Sequence, residues 1–343
     1  MSGTPVPPPE GSQDQGVPWH FGDPLREQRA LDAGSAAVDL SSRGVVTITG
    51  PDRLTWLHSL TTQHLESLAP GESSLALVLS PHGHVEHELH LVDDGETTWV
   101  ITESDAVASL VDYLTSMQFM LRVEVADRSA DFAVVWEPVR EVDPRVVTWL
   151  VPADFAGVGQ VEAGSDRGGD AARYVPSRPG ALVGREVIIH REDLADRLAE
   201  WPERAGTWAL TALRVAAAVP RVGLETDHRT LPHEVGWIGP GVHLAKGCYR
   251  GQEAVARVHN LGHPPRRLVL LHLDGSADDL PNHGDVVVVD GREVGWIATA
   301  AWHFEEGPLA TAVVKRSTPE DVPAVVRTPG GEVAATVIPV VRG

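Results

Sequence analysis

The chain has 343 residues, with 28 lysines and arginines against 48 aspartates and glutamates, a formal net charge of −20 and one cysteine. A single thiol excludes an intrachain disulfide, a cysteine-rich zinc site and a self-contained iron–sulfur site, and it is typical of a reducing cytosol. The acidic balance argues against a nucleic-acid-binding surface, which is built from clustered lysine and arginine. We therefore expect a cytoplasmic protein with no direct nucleic acid partner.

The ends and the length of the chain limit the class of protein further. Residues 1–18 are rich in proline, glycine and serine, lack the cationic start and apolar centre of a signal peptide, and are expected to form a disordered tail. No apolar run approaches the ~20 residues of a membrane-spanning helix, so no membrane partner is expected. The length exceeds what one hydrophobic core supports, which predicts two or three domains.

Strand and helix patterns are mixed over residues 19–140 and predict an α+β domain. Gly50-Pro51-Asp52 marks a helix start, because proline at the first helical position has no amide hydrogen to leave unpaired. Apolar residues at helical spacing from Ser104 indicate a second helix. The predicted strands, rich in β-branched and apolar residues, are 36–40, 45–49, 74–80, 85–92 and 98–101.

The remaining residues divide into two further segments. Residues 141–263 are less regular, with a strand at 186–189 and an alanine- and leucine-rich helix at 207–218, and predict a second α+β domain. Residues 264–343 contain only short β-rich runs separated by glycine turns, which predicts a small antiparallel barrel or sandwich. The predicted fold class is α+β with a small β domain at the end.

The segment with the most unusual composition runs from Leu244 to Arg257 and contains the only cysteine. Lys246 and Arg250 flank Cys248 closely enough to favour its thiolate, which makes it a candidate reactive thiol. The alternative is a buried cysteine that packs as a small apolar side chain beside a turn.

The sequence KGCYRGQE at 246–253 resembles the K-G-C-Y-x-G-Q-E signature of the YgfZ-type folate-binding proteins, which are relatives of the glycine-cleavage T-protein in the GcvT superfamily. The Arg266-Arg267-Leu268 continuation resembles the same family, and so does the stretch from 213 to 236. The resemblance implies a ring of three domains around a central site for tetrahydrofolate or a one-carbon derivative. The implied domains are 19–140, 141–263 and the barrel 264–343.

The resemblance also implies contacts with the folate. Arg214 matches a folate-contacting arginine, Trp208 lies close to a folate-stacking tryptophan, and Glu186 matches a carboxylate that holds the pterin ring. The alternatives are a surface arginine, a core tryptophan and a solvated strand glutamate. Further contacts with the cofactor are assigned within the signature, to Lys246, Tyr249, Arg250, Gln252 and Glu253.

One departure from the family pattern affects the expected chemistry. T-proteins carry an Asp-Asp pair after a Gly-x-Ile turn, and one of these carboxylates assists aminomethyl transfer. Aligned on Gly83, this chain has His87-Glu88 instead. Glu88 is a catalytic candidate only if the chain is a transferase, because moving a carboxylate by one methylene costs heavily where positioning supplies the rate.

A row of polar residues on the same predicted strand resembles a metal site at first sight. Alternate residues from His82 to His90 are histidine or glutamate, but the row spans about 27 Å at ~3.4 Å per residue and cannot share one ion. We expect a solvated polar face here and no metal site.

These observations favour a tetrahydrofolate-binding accessory factor for iron–sulfur cluster assembly or repair, with Cys248 as its essential thiol. Its partners would be folate and iron–sulfur assembly proteins or client enzymes. The alternative is a folate-dependent aminomethyltransferase or another one-carbon transferase of the T-protein type. A weaker alternative, based on family association only, is an accessory protein of tRNA modification.

Overall fold

The computed structural model describes residues 3–139, 146–152, 155, 182–275 and 279–340. The fold class agrees with the prediction, since two mixed α+β layers precede a closed antiparallel barrel. None of the helices in these ranges has the length and apolar character needed to cross a membrane. The α-helices are α1 Pro24–Asp32, α2 Arg53–Leu60, α3 Val107–Ser116, α4 Leu194–Ala199, α5 Thr207–Ala216 and α6 Gln252–Leu261.

The strands fall into three groups. The first sheet contains β2 Gly44–Thr49, β3 Ser73–Leu79, β4 Val85–Asp93, β5 Thr97–Thr102 and β6 Glu124–Asp127. The second contains β1 Ala36–Asp39, β7 Phe132–Glu137, β8 Val147–Leu150, β9 Arg185–His190 and β10 Glu203–Ala205. The barrel contains β11 Arg266–Leu273, β12 Val286–Val289, β13 Arg292–His303, β14 Gly307–Lys315, β15 Pro323–Thr328 and β16 Gly331–Pro339.

The first sheet is antiparallel, in the order β3-β4-β5-β2-β6. Its residues alternate between two faces. One face packs with α2 and α3 in a cluster that includes Leu57, Leu89 and Leu110, all of them fully buried. The opposite face carries Leu75 and Leu77 into a larger core shared with the second sheet. Both faces of this sheet are therefore covered over much of its area.

The second sheet corrects the predicted boundary between residues 140 and 141. Its order is β10-β1-β7-β9-β8, so β1 and β7 from the predicted first domain pair with strands from the predicted second domain. Ala36–Val38 pairs in parallel with Glu203–Ala205, and Phe132–Glu137 pairs with Arg185–His190. The chain starts the second sheet with β1, forms the first sheet with β2 to β6 and returns to the second sheet with β7 to β10, so β1 pairs with strands far away in sequence.

The barrel closes in the order β11-β14-β13-β12-β15-β16 and has an apolar interior of its own. It begins at Arg266, directly after the predicted boundary at residues 263–265. The barrel wall is also the neighbour of α5, and it helps to hold that helix against the two sheets.

The expectation of a disordered tail over residues 1–18 is wrong for the residues from 3 onward. Asp14 and Val17 are buried, at 3% and 4% exposure. Asp14 pairs with Arg221, and Trp19 stacks on Trp208 with ring centroids 5.8 Å apart. These contacts are long-range, so they fix a segment whose composition alone is typical of disorder.

Candidate functional site

A central cavity of about 60 Å³ lies where the two sheets face each other. The first sheet contributes Leu75, Glu88 and His90, while α5 contributes Leu210 and Arg214. Trp136 and Glu186 come from the second sheet. The lining is completed by Arg43, Trp149, Val151, Phe155, Leu182, Val219, Pro220 and Arg221.

The polar centre of the cavity is a row of three side chains from two sheets. His90 Nδ1 lies 2.7 Å from Glu186 Oε2, and His90 Nε2 lies 3.5 Å from Glu88 Oε1. Burial alone would lower the pKa of His90, but the charge and hydrogen bond of Glu186, with a smaller contribution from Glu88, raise it to about 9. Burial would raise the pKa of Glu186, and the charge of His90 lowers it instead. The row is thus an imidazolium between two carboxyl groups.

Aromatic rings form much of the remaining wall. The ring of Trp149 stacks on His90 with centroids 3.7 Å apart and planes 4° from parallel, while its indole nitrogen donates to the carbonyl of Ser74. Trp136 and Phe155 are almost fully buried beside it. A cationic imidazole against an indole face is a favourable arrangement, and it fixes both rings.

A second charged network adjoins the cavity. Arg221 donates to both carboxylate oxygens of Glu103 and of Asp14, at 2.8–3.1 Å, and Arg43 pairs with Glu103 from the other side. Burial would raise the pKa of Glu103, but the two guanidinium groups lower it to about 2. The Nε of Arg43 is buried and has no hydrogen-bond partner among the described residues. Arg43 also lines the cavity.

Arg214 lies in the cavity wall, but its guanidinium group is engaged with other parts of the protein. It donates to Glu225 at 2.8 Å, to the carbonyl of Val219 at 2.7 Å and to Thr299 of the barrel at 2.9 Å. Glu225 is fully buried and also accepts from Thr299 and Thr311. Arg214 therefore clamps α5 to the barrel, and the alternative of a surface arginine is wrong.

Trp208, predicted to stack on folate, does not line the cavity. The cavity-lining residues of α5 are Leu210 and Arg214. Trp208 lies about 200° around the helix from Leu210, at ~100° per residue, and it packs against Trp19 and His20. Glu186, in contrast, is in the cavity at 3% exposure, so the alternative of a solvated strand glutamate is wrong.

The KGCYRGQE segment lies outside the cavity. Lys246 donates to the carbonyl groups of His58 and Thr61 and so caps the C-terminal end of α2. Burial lowers the pKa of Lys246 to about 8, against the opposing charges of Glu66 and Cys248. Cys248 itself is exposed, which excludes the alternative of a buried apolar cysteine.

The other signature residues also serve structure at this location. Tyr249 is buried in the core, Arg250 pairs with Glu86 at 2.8 Å, and Gln252 donates to the carbonyl of Lys246 at 3.4 Å. Glu253 is exposed and pairs with Arg257 within α6. The signature residues to which cofactor contacts were assigned do not line the central cavity; they are Lys246, Tyr249, Arg250, Gln252 and Glu253.

Three residues that the sequence did not single out belong to the cavity: His90, Arg43 and Trp149. The signal for His90 was the polar row on β4, which we expected to be solvated. Glu86 is indeed exposed, but Glu88 and His90 lie under the second sheet, with side chains 12% and 15% exposed. No local pattern distinguishes a polar face in water from one that closes against another sheet.

Comparisons with known proteins agree with this architecture. Residues 16–136 match the GCVT N-terminal domain, and residues 266–341 match the glycine cleavage T-protein C-terminal barrel domain. An aminomethyltransferase of Synechococcus sp. (strain WH7803) is 26% identical over 302 residues, covering 83% of this chain and 80% of that protein. A putative chloroplastic transferase of Arabidopsis thaliana is 24% identical over 292 residues, covering 82% of this chain and 65% of that protein.

A solved structure shows the same fold. The glycine cleavage system aminomethyltransferase T of Bartonella henselae superposes with a TM-score of 0.75 at 17% identity, over 96% of this chain and 92% of that one. Together the two domain matches cover both ends of the chain and more than half of its residues. The chain therefore belongs to the GcvT superfamily and has the T-protein fold.

Proposed function

We propose that this chain binds a reduced folate in the cavity between its sheets and acts as an accessory factor in iron–sulfur cluster assembly or repair through Cys248. The observation that carries the proposal is the row Glu186–His90–Glu88 inside a cavity with aromatic walls. The exposed thiol in the KGCYRGQE segment supports the second part, because it is accessible to a partner protein.

The residues present fit a reduced pterin in their chemistry. A pterin is a flat ring with N–H donors, and the carboxyl groups of Glu186 and Glu88 are acceptors for such donors. Arg43, which lines the cavity, carries a guanidinium group that can donate to a ring carbonyl or nitrogen. Trp136 and Phe155 supply apolar surfaces for the ring. When bound, the folate would supply a carrier for one-carbon groups.

The size of the cavity adds a requirement to the proposal. About 60 Å³ holds about four or five water molecules, whereas pockets for drug-sized ligands enclose roughly 300 Å³ or more. Folate binding therefore requires the cavity walls to separate. The stacked pair of Trp149 and His90 lies in this wall, so folate binding is expected to change the environment of Trp149.

A second candidate function is aminomethyl transfer to the folate. It is favoured by the position of Glu88 in the cavity wall and by the aminomethyltransferase names of several relatives. Against it, the carboxyl group of Glu88 contacts His90, and it is one methylene longer than the aspartate of the T-protein pattern. We therefore place transfer second to the accessory role.

A deletion strain, assayed in parallel for iron–sulfur enzyme activity and for glycine cleavage, tests the two candidates. The accessory role predicts a deficit in iron–sulfur enzymes that the wild-type chain restores and that Cys248→Ala does not. Normal iron–sulfur enzyme activity with a loss of glycine cleavage would contradict it. Aminomethyl transfer by the purified chain, lost in Glu88→Gln, would establish the second candidate instead.

A further inference from the structure

A cluster of histidine and glutamate side chains lies at the end of α2, away from the cavity. The donor atoms of His58, His64 and Glu66 all lie within 4.8 Å of one another. His58 is on the last turn of the helix, and the other two flank Leu65 in the loop that follows. The rings of His58 and His64 meet edge to face, with centroids 4.8 Å apart, and His243 lies 5.7 Å beyond His64.

The backbone that carries these side chains is anchored on both sides. Leu65 is fully buried in the core beneath the first sheet. Thr62 donates to the carbonyl of Gly241, and its own carbonyl accepts from the amide of His243. His58 is therefore on a helix and the other two donors are in a pinned loop, so the chain holds them close together without a ligand.

We propose that His58, His64 and Glu66 form a binding site for a divalent transition-metal ion. Two imidazoles and one carboxylate are the donor set that suits borderline ions such as Zn²⁺ and Fe²⁺, and three protein ligands leave coordination positions open. This proposal goes beyond the folate proposal and does not rest on it. It also departs from our expectation of no metal site, which concerned a different set of histidines.

The donors must move closer together on binding. Ligands at ~2.1 Å from one tetrahedral ion lie about 3.4 Å apart, so donors separated by as much as 4.8 Å close by up to about 1.4 Å. His64 and Glu66 are exposed and can make this movement by side-chain rotation. His58 Nδ1 accepts a hydrogen bond of 3.3 Å from the amide of Leu65. Metal binding through Nε2 moves the ring proton to Nδ1, so it costs only this long hydrogen bond.

The position of the site brings the ion close to the signature segment. A Cβ built on Gly247 would lie 4.0 Å from Nε2 of His58, so the residue that precedes Cys248 is directly beside the proposed ion. Lys246 is also near, but its ammonium group is held by the carbonyl oxygens of His58 and Thr61. The sequence neighbour of the only thiol therefore lies near the proposed metal site.

Calorimetric titration of the full-length Cys248→Ser chain with Zn²⁺ tests the proposal. The substitution removes the thiol, so Cys248 cannot bind the ion itself. We expect one saturable Zn²⁺ per chain and a loss of affinity of more than about tenfold in His64→Ala and in Glu66→Gln, because losing even a group that hydrogen-bonds to a metal ligand costs about 10–100-fold. His82→Ala, at another surface histidine, is the matched control and should change the affinity by less than about twofold.

Spectroscopy with Co²⁺ gives a second measurement that does not depend on a variant. Visible d–d bands that saturate at one ion per chain, and that Zn²⁺ abolishes, would support the site. The proposal is overturned if the parent chain shows no saturable binding, or if both His64→Ala and Glu66→Gln bind as tightly as the parent. Both altered residues are exposed, so unfolding is not expected to obscure the result.

Discussion

Nδ1 of His90 lies 2.7 Å from Oε2 of Glu186, and this contact joins the two sheets across the central cavity. β4 and β9 belong to different sheets, so the pair is formed only when the two sheets close on each other. Because both groups are buried, the charged form of each is stabilised mainly by the opposite charge of the other. The pair thus serves both as a link between the sheets and as the polar centre of the proposed folate site.

Glu186→Gln is expected to destabilise the chain by about 3 kcal/mol, since removing one partner of a buried ion pair leaves the other charge uncompensated. Urea unfolding measures the change. Glu203→Gln is the matched control, because Glu203 pairs with Arg26 at the surface, where the expected loss is about 1 kcal/mol or less. Equal effects of the two substitutions would contradict this account of the buried pair.

The pH dependence of stability follows from His90. Its pKa is about 9 in the folded chain and about 6.5 in an unfolded one, so its stabilising contribution is complete below about pH 6.5 and is lost as the pH rises through 9. The loss amounts to roughly 3 kcal/mol, and it depends on Glu186 and Glu88, which face the ring. The free energy of unfolding should therefore fall more steeply over this range in the wild type than in His90→Gln. Parallel pH profiles of the two chains would contradict the assignment.

The N-terminal segment should be sensitive to the loss of one charge. Asp14→Asn removes charged hydrogen bonds to Arg221, and we expect a loss of about 2 kcal/mol and faster proteolysis before Val17. Glu10→Gln, which changes an exposed carboxylate in the same segment, should have no measurable effect. A segment that is cleaved as rapidly in the wild type as in Asp14→Asn would show that Asp14 does not hold it.

Gly251 and Gly83 bring the signature segment against the turn between β3 and β4. A Cβ on Gly251, at φ +83°, would lie 2.5 Å from the carbonyl oxygen of Ser80. Gly284 has φ +87° but nothing within 4 Å of its built Cβ, so Gly284→Ala should cost only about 1–2 kcal/mol for its backbone conformation. Gly251→Ala should cost at least ~1 kcal/mol more in the same unfolding experiment. Equal costs would mean that the two turns are not in close contact.

Local patterns in the sequence were sufficient to predict a small antiparallel β domain, and the family resemblance specified that it is a barrel. Its strands are short, follow one another along the chain and are separated by turns, as in β15 and β16, which are joined at Thr328–Gly331. The pairing of Ala36–Val38 with Glu203–Ala205 has no such local signal, because its partners are far apart in sequence. The domain boundary predicted at residue 140 was wrong for this reason.

The candidate site was predictable only in part. The family resemblance pointed to Glu186, which lies in the cavity, and to the signature residues, which do not. His90 was missed because alternating polar residues on a strand are typical of a solvated face, and only the second sheet makes this face an interior one. Chemical type can be judged from the sequence, but burial here is determined by long-range packing.

Anaerobic calorimetric titration with tetrahydrofolate tests the central claim, that the folate site is the cavity at Glu186 and not the segment at Cys248. We predict that the wild-type chain binds one tetrahydrofolate, that Cys248→Ala binds it within about twofold of the wild type, and that Glu186→Gln, folded by circular dichroism, binds more than about tenfold more weakly, as expected for a lost charged hydrogen bond. Unchanged binding by Glu186→Gln, or loss of binding in Cys248→Ala, would contradict the account.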